Sequence, residues 1–166
     1  VNDEHGHRAG DAVLLQARDR LRSTVREADL ILRWGGDQFL VLGEYRTPDG
    51  LAKLAERIRR GLSDTPFEAG PEVRLRLSGS IGFAPFPFVP GEVDEVGWEH
   101  VLRIALRCTH RSQARGRNRW TGALGTRALW NEPADRVVAD LDAHARAGTV
   151  LLLEGELPEG APRDAE

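Results

Sequence analysis

The sequence predicts a mixed domain of the α/β (α+β) class, and three patterns predict it. Apolar residues recur at helical spacing over about residues 9–26, where Val13, Leu14, Ala17, Leu21 and Val25 share a face. Two short apolar runs, 29–34 and 39–42, flank Gly35-Gly36, a pair that tolerates the positive φ of a tight reversal and so marks a hairpin. Val73, Leu75 and Leu77 alternate with Arg74, Arg76 and Ser78, the period of a half-exposed strand continuing to about Phe83.

The remaining elements follow in order. Leu51, Leu54, Ala55, Ile58 and Leu62 place a second helix over about 50–63. Prolines 85, 87 and 90 exclude regular structure from 84–91, because each removes a backbone donor. A third helix spans about 98–115, with Gly116 as its stop. Arg119-Trp120-Thr121 reads as a short strand. Asn131-Glu132-Pro133 opens a fourth helix that runs to about Ala147, and Gly148 ends it before a last strand at 149–153. The acidic, Pro/Gly-rich residues 155–166 read as a frayed tail. No internal repeat is visible. The expected division is a domain over 1–122 and an extension over 123–166 with one helix, a short strand and the tail.

Composition narrows the class. A chain of 166 residues, 40% hydrophobic and 30% charged, is ordinary for one compact globular domain. A formal charge of −3 gives no global attraction to DNA, RNA or an anionic membrane, so any basic surface must be local. The single cysteine, Cys108, precludes an intrachain disulfide and suits a reducing, cytoplasmic setting, where it reads as a small buried hydrophobe. Apolar runs such as 150–153 are far too short to span a bilayer. The chain starts at Val1 and contains no Met, so it reads as a piece of something longer, such as the cytoplasmic part of a membrane-anchored sensor.

The chemistry-bearing residues cluster by motif. The turn Gly35-Gly36-Asp37-Gln38-Phe39 offers close backbone approach to a ligand, with a carboxylate just beyond it. Gly-Gly-Asp alone is often only a turn. Its company is specific: Val1-Asn2-Asp3, Gly6-His7 and Gly10-Asp11 precede it, then Arg26 and Asp29, then Arg33-Trp34. Ala55-Glu56-Arg57-Ile58-Arg59, Ser80-Ile81-Gly82 and Gly116-Arg117-Asn118-Arg119 follow. In order and spacing these motifs resemble the GGDEF family over about residues 1–120.

The resemblance implies a central, mostly antiparallel sheet flanked by helices, as in the palm of nucleotidyl cyclases and polymerases. It also implies a chemistry, the Mg²⁺-assisted condensation of two GTP into cyclic di-GMP by an antiparallel pair of domains. Carried over, Asn2 and Asp11 would read the guanine of GTP, Gly35 and Gly36 would pass close to the nucleotide, and Arg117 would face the triphosphate. Asp37 would be the catalytic and metal-binding acid. Arg26, Asp29 and Arg57 would bind the product, cyclic di-GMP, since arginine forks read guanine O6 and N7 and a carboxylate accepts from the Watson–Crick edge. Without the resemblance, Asn2 and Asp11 read equally well as caps, and Arg26 with Asp29 as a surface ion pair.

Three departures cut against catalysis. Gln38 replaces the family's glutamate at the degenerate fourth motif position, which removes a charge from a Mg²⁺ site. Gln113 stands where the family has a lysine for the terminal phosphate, and Thr109-His110 replaces Leu-Tyr. The family's first strand, with its own metal-binding aspartate, should lie just before Val1. These departures imply low or no activity, whereas the product-binding set is complete.

Three functions stand open on this reading. One is a receptor module for cyclic di-GMP. The second is a weak or conditional diguanylate cyclase using Mg²⁺. The third is a GTP-binding or dimerisation module that regulates a partner domain, with a ligand-linked homodimer compatible with all three. Two further patterns carry charge or ligand chemistry. Asp3, His5, His7 and Asp11 offer metal-ligand groups at no standard zinc spacing. Arg103, Arg107, Arg111 and Arg115 form a stripe of like charge along the third helix, which calls for acidic partners, a phosphate-bearing ligand or plain solvation.

Overall fold

The computed structural model describes residues 6–92, 96–129 and 132–155. The order is helix α1 (His7–Thr24), strands β1 (Leu30–Gly35) and β2 (Gln38–Leu42), and helix α2 (Pro48–Ser63). Strands β3 (Phe67–Gly70), β4 (Val73–Leu75) and β5 (Ile81–Phe83) lead to helix α3 (Trp98–Ala114) and strand β6 (Trp120–Gly125). A 3₁₀ turn at Arg127–Leu129, helices α4 (Ala134–Ala139) and α5 (Leu141–Arg146), and strand β7 (Val150–Glu154) complete it. The predicted α+β class is therefore the observed one.

Pairing is mostly antiparallel but divided into small ladders. β1 pairs with β2, β3 with β4, and β6 with β7, all antiparallel, while β5 runs parallel to β6. Two expectations change here. The strand expected over 73–83 is two strands, because Val73–Leu75 folds back on Phe67–Gly70 across a turn containing Gly70 and Glu72, both at positive φ. The single helix expected from 133 to 147 is two, because Asp140 leaves helical geometry and caps α5 by accepting from Ala143 N–H at 2.8 Å. Residues 156–166, expected as a frayed tail, lie outside the described residues.

Local chemistry explains the helices. Thr47 accepts from Gly50 N–H, Pro48 occupies the first helical position and Asp49 sits in the first turn, so α2 starts where capping rules place it. α1 starts on Gly6 without a side-chain cap and is held from its flank instead. Gln16 grips β3 at both ends of its amide, donating to Glu68 C=O at 2.7 Å and accepting from Glu68 N–H at 3.0 Å. Arg20 lies 3.7 Å over the Phe67 ring and donates to the carbonyls of Thr65 and Pro66.

Two apolar clusters result. Leu21, Leu54 and Ile58 bind α1 and α2 to the inner side of the hairpin, where Ile31, Phe39 and Val41 are partly buried. On the outer side Leu30, Leu32, Trp34 and Leu42 remain exposed. The larger cluster joins Val101, Ile104 and Cys108 of α3 to Ala123, Val137 and Val150, so residues beyond 125 share a core with α3. Cys108 is fully buried, and burial pushes its thiol up to about 12, which keeps it protonated and inert. The β5–α3 contact is close at Gly82, where an added Cβ would lie 2.1 Å from Ala105 C=O. Ser112 fastens the same junction by donating to Ile81 C=O and bonding the Thr121 hydroxyl.

Candidate functional site

The hairpin turn forms as the glycines require. Gly35 and Gly36 have φ of 150° and 54°, and the Arg33 guanidinium clamps the turn by donating twice to Gly36 C=O, at 3.1 and 2.9 Å. Open space surrounds both glycines, with nothing within 4 Å of an ideal Cβ on either. Asp37 and Gln38 are exposed at the tip, and Asp11 is exposed on the second turn of α1. Asn2 lies outside the described residues.

The donor set at this turn is thin for Mg²⁺. One carboxylate, Asp37, and one neutral amide, Gln38, stand at the tip, and a hard dication wants several charged or carbonyl oxygens. Among the described residues no three His, Cys, Asp or Glu side chains converge as metal ligands. His7 and Asp11 do not form such a group, and Asp3 and His5 lie outside the described residues. The residues described do not by themselves build a magnesium centre.

Arg117 sits on a second, more constrained turn. Gly116, Arg117 and Asn118 all have positive φ (108°, 56° and 45°), a conformation that the two non-glycine residues adopt only with support. The support comes from Arg59, whose side chain is only 4% exposed. Arg59 donates to Asn118 Oδ1 at 2.9 Å and to both Glu56 oxygens, at 2.9 and 2.8 Å. Glu56 also accepts from Arg60 at 2.8 Å and from Trp120 Nε1 at 3.2 Å. Hydrogen bonds from Arg59, then from Arg60 and Trp120, outweigh partial burial and hold the Glu56 carboxyl down at about 2. Sequence reasoning matched Glu56 and Arg59 to a motif but gave a task only to Arg57 between them. The task of Glu56 and Arg59 is to hold the turn that carries Arg117.

The Arg26–Asp29 pair differs from the simple expectation. Asp29 is only 3% exposed. Its Oδ2 accepts from Arg26 N–H at 2.9 Å and from the Tyr45 hydroxyl at 2.7 Å, and Gly43 lies directly against Oδ1. A carboxylate so engaged through Oδ2 braces the turn. Arg26 is exposed, with its guanidinium 5.0 Å over the Tyr45 ring. Arg57 is exposed on α2. Burial, followed by the bond to Asp29, raises the Tyr45 pKa, while the charges of Arg26 and Arg57 act in the opposite sense. Both arginines therefore bear on the same phenol. Tyr45 was missed in the sequence because a lone aromatic in a loop carries no periodic signal.

The arginine stripe on α3 finds acidic partners. Arg103 pairs with Asp135 at 2.8 Å, Arg111 with Asp142 and Glu154, and Arg115 with Glu154 at 2.6 Å. Each acid comes from the segment beyond 125, so the extension answers the charges of Arg103, Arg111 and Arg115.

Comparison with known proteins agrees on the family. The family model for the diguanylate cyclase, GGDEF domain, matches residues 1–119. The chain is similar to MucR of Pseudomonas aeruginosa, a bifunctional diguanylate cyclase/cyclic di-GMP phosphodiesterase, with 41% identity over 87 residues. That match covers 52% of this chain and 12% of MucR. It is similar to the diguanylate cyclase DosC of Escherichia coli, with 32% identity over 127 residues, 75% of this chain and 26% of DosC. Among solved structures it is similar to the GGDEF domain of YfiN (TpbB) from Pseudomonas aeruginosa. There the TM-score is 0.61 at 27% identity, covering 70% of this chain and 65% of the other. The chain thus spans about a quarter or less of the length of MucR and DosC.

Proposed function

The chain belongs to the GGDEF family of cyclic di-GMP signalling domains, and from that premise we propose that it works as a cyclic di-GMP receptor module rather than as an efficient cyclase. One observation carries the reading. The Arg26 turn is already built, with Asp29 buried as its brace and Arg26 and Arg57 both exposed and both acting on Tyr45. One guanidinium fork over an aromatic ring, with the charge of a second arginine bearing on the same phenol, suits a guanine base, whose O6 and N7 accept a paired donor. At the other site, by contrast, the hairpin has a neutral Gln38 beside Asp37, and Gln113 removes a cation from the phosphate end. The module works in the cytoplasm as part of a longer signalling protein, and cyclic di-GMP is its ligand.

Calorimetric titration of cyclic di-GMP into the 166-residue chain and into Arg26→Ala tests this. Saturable heat in the wild type, lost or weakened at least tenfold in the variant, is expected, the loss of one charge-assisted fork being about 1.5–3 kcal/mol. No heat in the wild type contradicts the proposal.

The open space around Gly35 and Gly36 and the exposed Asp37 favour a second reading, a conditional diguanylate cyclase. Mg²⁺, which serves the cyclases of this family, would be held by Asp37 with ligands outside the described residues. Incubating the full-length protein with GTP and Mg²⁺ and assaying cyclic di-GMP separates the readings. Turnover lost in Asp37→Ala supports the enzyme.

A further inference from the structure

We propose that Tyr45 is the base platform of the Arg26 site, a ring over which the Arg26 guanidinium and a guanine of cyclic di-GMP lie side by side in one plane. The inference deepens the receptor reading and rests on it. Arg26 already lies over the ring, its Cζ 5.0 Å from the centroid, so cation and aromatic face are in contact before any ligand arrives. A guanidinium that donates in a fork to guanine O6 and N7 shares the plane of the base. A guanine bound in this way extends over the same ring that Arg26 covers. Base and cation then both stack on Tyr45, and neither must abandon its partner.

The ring is fixed in advance. Its hydroxyl donates to Asp29 Oδ2 at 2.7 Å, and that same oxygen accepts the Arg26 backbone N–H at 2.9 Å. One buried carboxylate therefore sets the spacing between the arginine backbone and the platform. The ring edge rests against Gly43, where a Cβ would come within 2.8 Å of Tyr45 Cε2, and the side chain packs against the α1–α2 cluster. Tyr45 remains half-exposed, and the charge of exposed Arg57 bears on the same phenol. Asp29 acts here as a positioning residue that need not touch the ligand.

The chain has one tyrosine, so a ring-labelled sample gives a single set of tyrosine resonances. Adding cyclic di-GMP should move them upfield, as stacking requires, and cyclic di-AMP, which lacks O6, should move them far less at equal concentration. Tyr45→Leu, which keeps the apolar packing, should weaken cyclic di-GMP binding about tenfold or more, given the usual strength of base–aromatic stacking. Tyr45→Trp should bind within about threefold of wild type, since it keeps an aromatic face. Circular dichroism checks that each variant is folded. If cyclic di-GMP binds the wild type and is lost in Arg26→Ala while Tyr45→Leu binds normally, the platform is wrong and the receptor reading stands. Tyrosine resonances that stay unmoved at saturating ligand overturn the platform in the same way. If the wild type binds no cyclic di-GMP, both fail together.

Discussion

Replacing Glu56 with glutamine removes one charge from the network behind the Arg117 turn and leaves its shape. Arg59, 4% exposed, would keep Asn118 as an acceptor but lose its counter-ion. Removing one partner of a buried pair usually destabilises by about 3–5 kcal/mol. Glu56 is itself 30% exposed, so water can screen the orphaned cation, and about 2 kcal/mol is the reasoned expectation. For a chain of this size that lowers Tm by about 4–8 °C. The pH dependence is the sharper signature. The Glu56 carboxyl is lowered from 4.5 to about 2 in the fold, so its contribution is complete above the unfolded value and disappears as pH falls through about 2. Urea unfolding followed by tryptophan fluorescence at pH 7, 5, 4, 3 and 2 (about unit steps) reads it directly. The gap between wild type and Glu56→Gln should close over the acidic steps. A gap under about 0.5 kcal/mol at pH 7, or one that stays constant with pH, would refute the claim that this carboxylate holds Arg59.

Asp29→Ala strands the Tyr45 hydroxyl and the Arg26 N–H, so it should destabilise the chain by about 1–3 kcal/mol in urea titration as well as weaken cyclic di-GMP binding. Gly82→Ala drives a methyl into the backbone of α3, and thermal unfolding should show a loss of about 3 kcal/mol. Asp140→Ala removes the cap of α5 and should cost about 1 kcal/mol by the same measurement.

How much was legible beforehand follows from which signals are local. The hairpin was readable because Gly35 and Gly36 are needed for one turn and apolar runs flank them. The long helices were readable because their apolar faces repeat over four turns or more. β3 was not, since Phe67-Glu68-Ala69-Gly70 has one buried residue and is held from outside by Gln16 and Arg20. The break at Asp140 hid for a similar reason, because a capping aspartate inside a periodic run resembles an ordinary helical surface residue.

The site divides along the same line. Arg26, Asp29 and Arg57 were found by motif, and motif spacing says nothing of burial. That Asp29 faces inward emerges only once Tyr45, sixteen residues later, reaches back to it. The α3 stripe was visible as charge, and its partners Asp135, Asp142 and Glu154 were not, because they arrive from a segment with no motif at all. Those pairs are partly to largely solvent-exposed, so water screens them and they set the alignment of the extension more than its stability.

The central claim is that the Arg26 turn is a working receptor site for cyclic di-GMP. A calorimetric titration at physiological salt, wild type beside Arg26→Ala, tests it most directly. Saturable binding by the wild type and a loss of at least about tenfold in the variant is the predicted result. An inert wild type, or a variant that binds equally well, contradicts it.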